Sequence, residues 1–118
     1  MQRTEHGLII ISCDFTGIDW DEHIPMIEGH RGSVISLDAV ALAVEQAAPS
    51  TEKFQCTMCR RDFDPPEKCW RHPGPPHPDT ANPEAVICFD CLQQADRAFA
   101  KDPDTDWRRK LPATDRWR

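Results

Sequence analysis

The sequence predicts a small α+β fold built from two ββα units in tandem. Three observations lead there. Two Cys-x-x-Cys pairs, Cys56/Cys59 and Cys88/Cys91, stand in the second half. Short β-branched runs precede two stretches with helical apolar spacing. The first half also lies over the second at fixed offsets. A thiolate pair two residues apart points both sulfurs at one metal, and two such pairs complete a tetrahedral shell. The second unit is therefore expected to close around one structural zinc ion held by Cys56, Cys59, Cys88 and Cys91, and the first to be metal-free. A closed shell leaves no position for a substrate, so the metal holds the fold rather than catalysing.

Composition agrees. The chain has 118 residues, of which 39% are apolar, with no Tyr. A chain this short and this apolar-poor needs a staple, and in a reducing compartment the usual one is a metal. Six Cys could instead form three disulfides in a secreted protein. Met1 to Gly7 is polar, however, and Leu8 to Ile11 is too short for the apolar core of a signal peptide. A cytoplasmic location is expected, with no membrane span. The net charge of −6 argues against nonspecific nucleic-acid binding.

Taken in order, Leu8 to Ser12 reads as a short buried strand, because Ile9, Ile10 and Ile11 are β-branched. Cys13 follows, then a turn at Thr16-Gly17. A loop runs through Asp19, Trp20, Asp21, Pro25, Gly29 and Gly32. Ser33-Val34-Ile35 is a second strand, and Ser36 is a helix N-cap. Leu37, Val40, Ala41, Val44 and Ala48 share a helical face. Pro49-Ser50-Thr51 is the expected linker. Phe54 and Gln55 lead into the first Cys pair, and Asp64-Pro65-Pro66 turns the chain. Pro73, Pro75, Pro76, Pro78 and Pro83 forbid regular structure in the next loop. Ala85-Val86-Ile87 is strand-like, and Cys88 opens a helix with Phe89, Leu92, Ala95 and Phe99 on one face. Pro103 stops it. The predicted organisation is a metal-free unit over 1–50, a zinc unit over 51–102 and a basic, Trp-containing tail over 103–118.

At an offset of 43, Cys13 meets Cys56 and Asp19-Trp20-Asp21 meets Asp62-Phe63-Asp64. At an offset of 52, Val34-Ile35-Ser36-Leu37-Asp38-Ala39 meets Val86-Ile87-Cys88-Phe89-Asp90-Cys91. The nine-residue change falls in the proline-rich loop. This reads as one unit repeated, with Thr16, Ser36 and Ala39 standing where the second copy has ligands. Only Cys13 remains of the first ligand set. The first copy is expected to hold itself by a core, with Ile9, Ile11, Trp20, Ile35, Leu37, Val40 and Val44 as its members.

The order of knuckle, loop, strand and Cys-x-x-Cys at a helix start is a treble-clef arrangement. Cys56-Thr57-Met58-Cys59 and Val86-Ile87-Cys88-Phe89-Asp90-Cys91-Leu92 resemble the N-terminal zinc-binding domain of the ClpX unfoldase. That resemblance implies a C4 zinc, self-association and docking of adaptor or substrate proteins, with two copies in one chain packing as a pseudo-dimer. The loop is longer here and no ATPase follows, so the unfoldase role does not carry over. Cys69-Trp70-Arg71-His72-Pro73-Gly74 with His77 is similar to a segment of the cysteine- and histidine-rich CHORD domains, which implies two zinc ions. The closing Cys of that pattern is missing after Cys91. One zinc on the two Cys-x-x-Cys pairs is the favoured expectation. Cys69 and His72 are then a free thiol and a loop imidazole, or else a weaker or shared site.

Other candidates are weaker. Asp19, Asp21 and His23, beside Asp14 and Glu22, could clasp a cation, but a solvated acidic loop is the simpler reading. His30 could act as a base, although such a residue more often forms part of a turn. Cys13 has no catalytic partner in the sequence and reads as a buried remnant ligand. No phosphate loop or nucleophile motif is present. The functional expectation is a zinc-binding protein-interaction or adaptor module, not an enzyme, with an unidentified protein partner or a second copy. It would bind through the Trp-rich tail or the proline-rich loop. The alternative is a nucleic-acid binder using Arg108, Arg109, Lys110, Arg116 and Arg118.

Overall fold

The computed structural model describes residues 1–111. It is an α+β chain of two helices and four small sheets. The first half contains strands β1 (Gln2–Glu5), β2 (Leu8–Ile11), β3 (Met26–Glu28) and β4 (Val34–Ser36), then helix α1 (Leu37–Gln46). Next come β5 (Ala48–Pro49), β6 (Phe54–Gln55), β7 (Asp62–Phe63), β8 (Lys68–Trp70) and β9 (Ile87–Cys88), then α2 (Phe89–Lys101).

Both helices begin as their sequences direct. Ser36 caps α1, its hydroxyl accepting the Ala39 N–H at 3.3 Å. Cys88 holds the same position on α2, its Sγ accepting the Cys91 N–H at 3.5 Å. Helix α2 buries Leu92, Ala95 and Phe99, the stripe that periodicity predicts, and ends before Pro103. Residues 71–86 contain no helix or strand, as their prolines require.

The two halves share a backbone hydrogen-bond pattern. In the first knuckle, Cys13 N–H donates to Ile18 O at 2.9 Å, and Gly17 N–H to Cys13 O at 2.9 Å. In the second, Cys56 N–H donates to Arg61 O at 2.9 Å, and Arg60 N–H to Cys56 O at 2.8 Å. Gly17 and Arg60 both turn the chain with positive φ, at 82° and 65°. Each knuckle is tied to the strand before its helix: Asp14 N–H to Val34 O at 2.9 Å, and Thr57 N–H to Val86 O at 2.8 Å. Strand pairing corresponds too, with Ile27 opposite Ile35 and Trp70 opposite Ile87. The extra residues of the second half therefore lie between Trp70 and Val86, the stretch that holds the proline-rich loop.

That loop packs on the first half. His77 N–H donates to Thr16 O at 3.0 Å, Asn82 N–H to Asp14 O at 2.8 Å, and the Thr80 hydroxyl to Gly17 O. In return, His30 N–H donates to Met58 O at 2.8 Å, on the second knuckle. One continuous apolar core runs through both halves, from Cys13, Phe15, Ile35 and Val40 to Trp70, Ile87, Leu92 and Phe99. Phe15 stacks on Trp70 across it, ring centroids 5.6 Å apart, a contact worth about 1 kcal/mol beyond the area it buries.

Several expectations are corrected. The Leu8–Ile11 strand is exposed to half-buried, and only Ser12 after it is buried. The strand pairs with β1 in a hairpin whose two-residue turn, His6-Gly7, takes φ of 51° and 79°. Ile9 is 72% exposed and Trp20 52%, so neither belongs to the core, and Ile11 is half-buried. Phe15 fills the place instead. Helix α1 buries Ala39, Val40 and Ala43, whereas Leu37 and Val44 are half-buried. Ala48 lies beyond that helix, and the expected linker begins as a strand: Ala48 pairs with Cys69 and Pro49 with Lys68. Strand β3, read as loop, pairs with β4.

The tail is not a free arm up to Leu111. Asp96 of α2 is fully buried and gathers it in. Its carboxylate accepts the Trp107 indole N–H at 2.9 Å, and backbone N–H groups of Lys110 at 2.9 Å and Leu111 at 2.9 Å. Trp107 and Leu111 then pack on the core. Arg116 and Arg118, on which part of the nucleic-acid expectation rested, and Trp117 of the Trp-rich tail lie outside the described residues.

Two substitutions test this packing. Gly17→Ala would place a Cβ 1.9 Å from His77 O in a left-handed backbone, so it should destabilise the chain by at least about 2 kcal/mol in urea unfolding. Asp96→Ala leaves buried donors unpaired and should cost about 2 kcal/mol or more. It should also remove the amide-exchange protection of residues 107–111, whereas a mutant that keeps this protection would show that the tail is held by apolar contact alone.

Candidate metal centre

The four sulfurs of Cys56, Cys59, Cys88 and Cys91 lie within 4.8 Å of one another. Two local structures bring them together. The knuckle after β6 turns through Arg60 and points Cys56 and Cys59 the same way. Strand β9 passes directly into α2, so Cys88 is the helix cap and Cys91 lies in its first turn. The Cys88 N–H donates to Cys56 Sγ at 3.3 Å, which fixes the two elements to each other.

The donor set fits zinc. Tetrahedral thiolates at a Zn–S distance of about 2.3 Å stand about 3.8 Å apart. Cys59 and Cys88 Sγ are 3.9 Å apart. The arrangement is a single candidate metal site, compatible with one structural Zn²⁺. Its electrostatics are those of a crowded thiol cluster. Hydrogen bonds from the Cys88 and Cys91 thiols hold Cys56 far below the usual thiol range. The same sharing pushes Cys91 well up and Cys88 up to about 12. A divalent cation relieves this competition by letting all four sulfurs stand as thiolates. Sequence reading missed Arg61, whose guanidinium donates to Cys59 Sγ at 3.4 Å and lies 3.5 Å from Asp90. Its cation offsets the negative charge that four thiolates would bring.

The other candidates do not join this cluster. Cys69 stands opposite Cys88 in the β8–β9 pairing, and burial pushes its thiol up. The Nδ1 atom of His72 accepts the Gly74 N–H at 3.0 Å, and its ring meets Trp70 edge-on. Burial pushes the His72 imidazole down, so it stays neutral at neutral pH as a turn-former. His77 lies on the loop that crosses the first knuckle. Among the described residues no second group of His, Cys, Asp and Glu comes within ligating distance. Asp19 is held by Arg3 in a two-pronged ion pair, at 2.8 and 3.0 Å, rather than by a shared cation with Asp21 and His23. The same contact holds its carboxyl below the usual range.

In the first half, Cys13, Ser36 and Ala39 are completely buried and Thr16 nearly so. Cys13 Sγ accepts the N–H groups of Thr16 at 3.4 Å and Ser36 at 3.3 Å. One sulfur there keeps the two local structures in register by hydrogen bonds alone. Among the described residues no helix is long and apolar enough to cross a membrane.

No known protein-family model matches this sequence, and no curated protein or solved structure matches it either. The likenesses to the ClpX zinc-binding domain and to CHORD domains rest on the cysteine motifs themselves.

Cys88→Ser removes a candidate ligand while keeping a side chain that can cap the helix, as Ser36 does on α1. It should abolish metal retention and the amide-exchange protection of residues 54–101, an effect that a strong chelator should reproduce on the native chain. Cys69→Ser and His72→Ala should leave metal content unchanged. A loss of metal in either would place that residue in the ligand set.

Proposed function

We propose that this chain is a zinc-stabilised protein-interaction module in which Cys56, Cys59, Cys88 and Cys91 hold one Zn²⁺ as thiolates. The observation that carries the reading is the closed sulfur shell at the junction of the second knuckle and α2. Four protein ligands complete a tetrahedron, so the metal offers no open position to a substrate. Its work is to fix the knuckle against the helix. Six unpaired cysteines suit a reducing compartment such as the cytoplasm.

The two halves are read as copies of one treble-clef-like unit, supported by the shared knuckle hydrogen bonds. In the first copy, Cys13 and the core stand in for the metal. The reciprocal contacts, His30 to Met58 and Asn82 to Asp14, support a pseudo-dimeric packing of the copies. The Trp107 segment and the proline-rich loop each make contacts within the chain. The nucleic-acid reading is disfavoured by the net charge of −6.

Elemental analysis of protein purified without added metal, paired with its native mass, tests this reading. One zinc per chain is expected. Two would bring Cys69, His72 and His77 back as ligands. None, with a mass showing disulfides, would overturn both the zinc and the reducing compartment.

A further inference from the structure

A groove of about 500 Å³ runs beside the candidate metal site, between β3 and the outer side of α2. Its floor is apolar, made by Ile27, Ile35, Met58, Ile87 and Ala95. Its rim is basic, with Arg61, Arg97 and Lys101 set against the single acid Glu28. The adjoining cleft shares Arg61 and Arg97 and extends past Asp90 to Arg109. Among the described residues, Arg97, Lys101 and Arg109 make no ion pair, and all three are exposed. Free cations collected along one groove are unusual in a chain of net charge −6.

Strand β3 adds a second feature. It is the outer strand of a two-stranded sheet. The bonds from Gly29 N–H to Ser33 O and from Leu37 N–H to Pro25 O fix the register. In an antiparallel pair the hydrogen-bonded positions alternate, so Ile27 faces β4 while the backbone groups of Met26 and Glu28 face away. These groups can pair with an extended chain laid along the strand.

Resting on the interaction-module reading, we propose that this groove docks an acidic peptide segment of a partner protein, with one apolar side chain seated on the Ile27–Met58–Ala95 floor. Charge complementarity selects the acids. The floor selects an aliphatic or aromatic anchor. A single-stranded nucleic acid fits less well, because His30 is the one ring among the lining residues and no Phe, Tyr or Trp is there for base stacking.

A random peptide display library panned against the zinc-loaded full chain tests the proposal. The comparison is with the Arg97→Glu/Lys101→Glu double variant, whose changes are at exposed positions. The variant's zinc content is checked first, to show that it is folded. Enriched peptides should combine Asp or Glu with Leu, Ile or Phe. A fluorescent copy of the best one should bind about tenfold or more weakly to the double variant, and more weakly at high salt. Labelled oligothymidine should not compete. Peptides that bind the double variant equally well would overturn the groove while leaving the interaction module standing. No enrichment at all would count against both, and tighter binding of oligothymidine would assign the groove to nucleic acid.

Discussion

Four sulfurs meeting at one point, where a knuckle touches the start of a helix, set the geometry of the second half. The knuckle is a tight turn with strands only two residues long on either side. Strands so short cannot hold themselves in water. Helix α2 is longer, but its direction relative to the knuckle is fixed where Cys88 is at once cap, strand end and cluster member. A metal there converts several weak local structures into one rigid corner. The proline-rich loop, the β8–β9 pairing and the docked Trp107 segment are all arranged on elements that this corner positions.

The first half reaches the same geometry with one sulfur. Cys13 Sγ receives the backbone N–H of the knuckle and that of the strand end, where the second half uses Cys56 Sγ for the strand end as well. Ser36 then caps the helix as Cys88 does. What the missing ligands gave in cohesion comes from burial. Phe15 stacks on Trp70, and the proline-rich loop closes over Gly17, where no side chain could fit. The second half therefore stabilises the first directly. The shared core means that loss of the metal corner reaches beyond the residues that ligate it.

This arrangement has a consequence for function. Both segments that the sequence offers as binding surfaces also make contacts within the chain, the tail up to Leu111 with Asp96 and the loop with the first knuckle. A surface with uncommitted charge among the described residues is the basic groove along α2, next to the corner that the metal would hold. A site resting on a rigid metal corner can present cations at fixed spacing, which mobile surface Lys and Arg cannot do without losing entropy on binding.

The sequence by itself determined the candidate metal donors, the two helices and their caps, and the correspondence of the two knuckles. Each depends on local rules: Cys-x-x-Cys spacing, a capping residue before an apolar stripe, and a positive-φ turn. Only the tertiary structure decided which apolar residues are inside. Ile9 and Phe15 look alike in the sequence, yet Ile9 lies on a hairpin that projects into solvent, whereas Phe15 faces Trp70 from the far half. Asp96 reads as an ordinary helix acid, because the donors that justify burying it come from a tail with no periodicity to announce it. The groove's cations are scattered in sequence from Arg61 to Arg109 and come together only when α2 packs beside the knuckle. Long-range proximity of this kind leaves no local pattern, since it depends on how finished elements pack and not on the residues within any one of them.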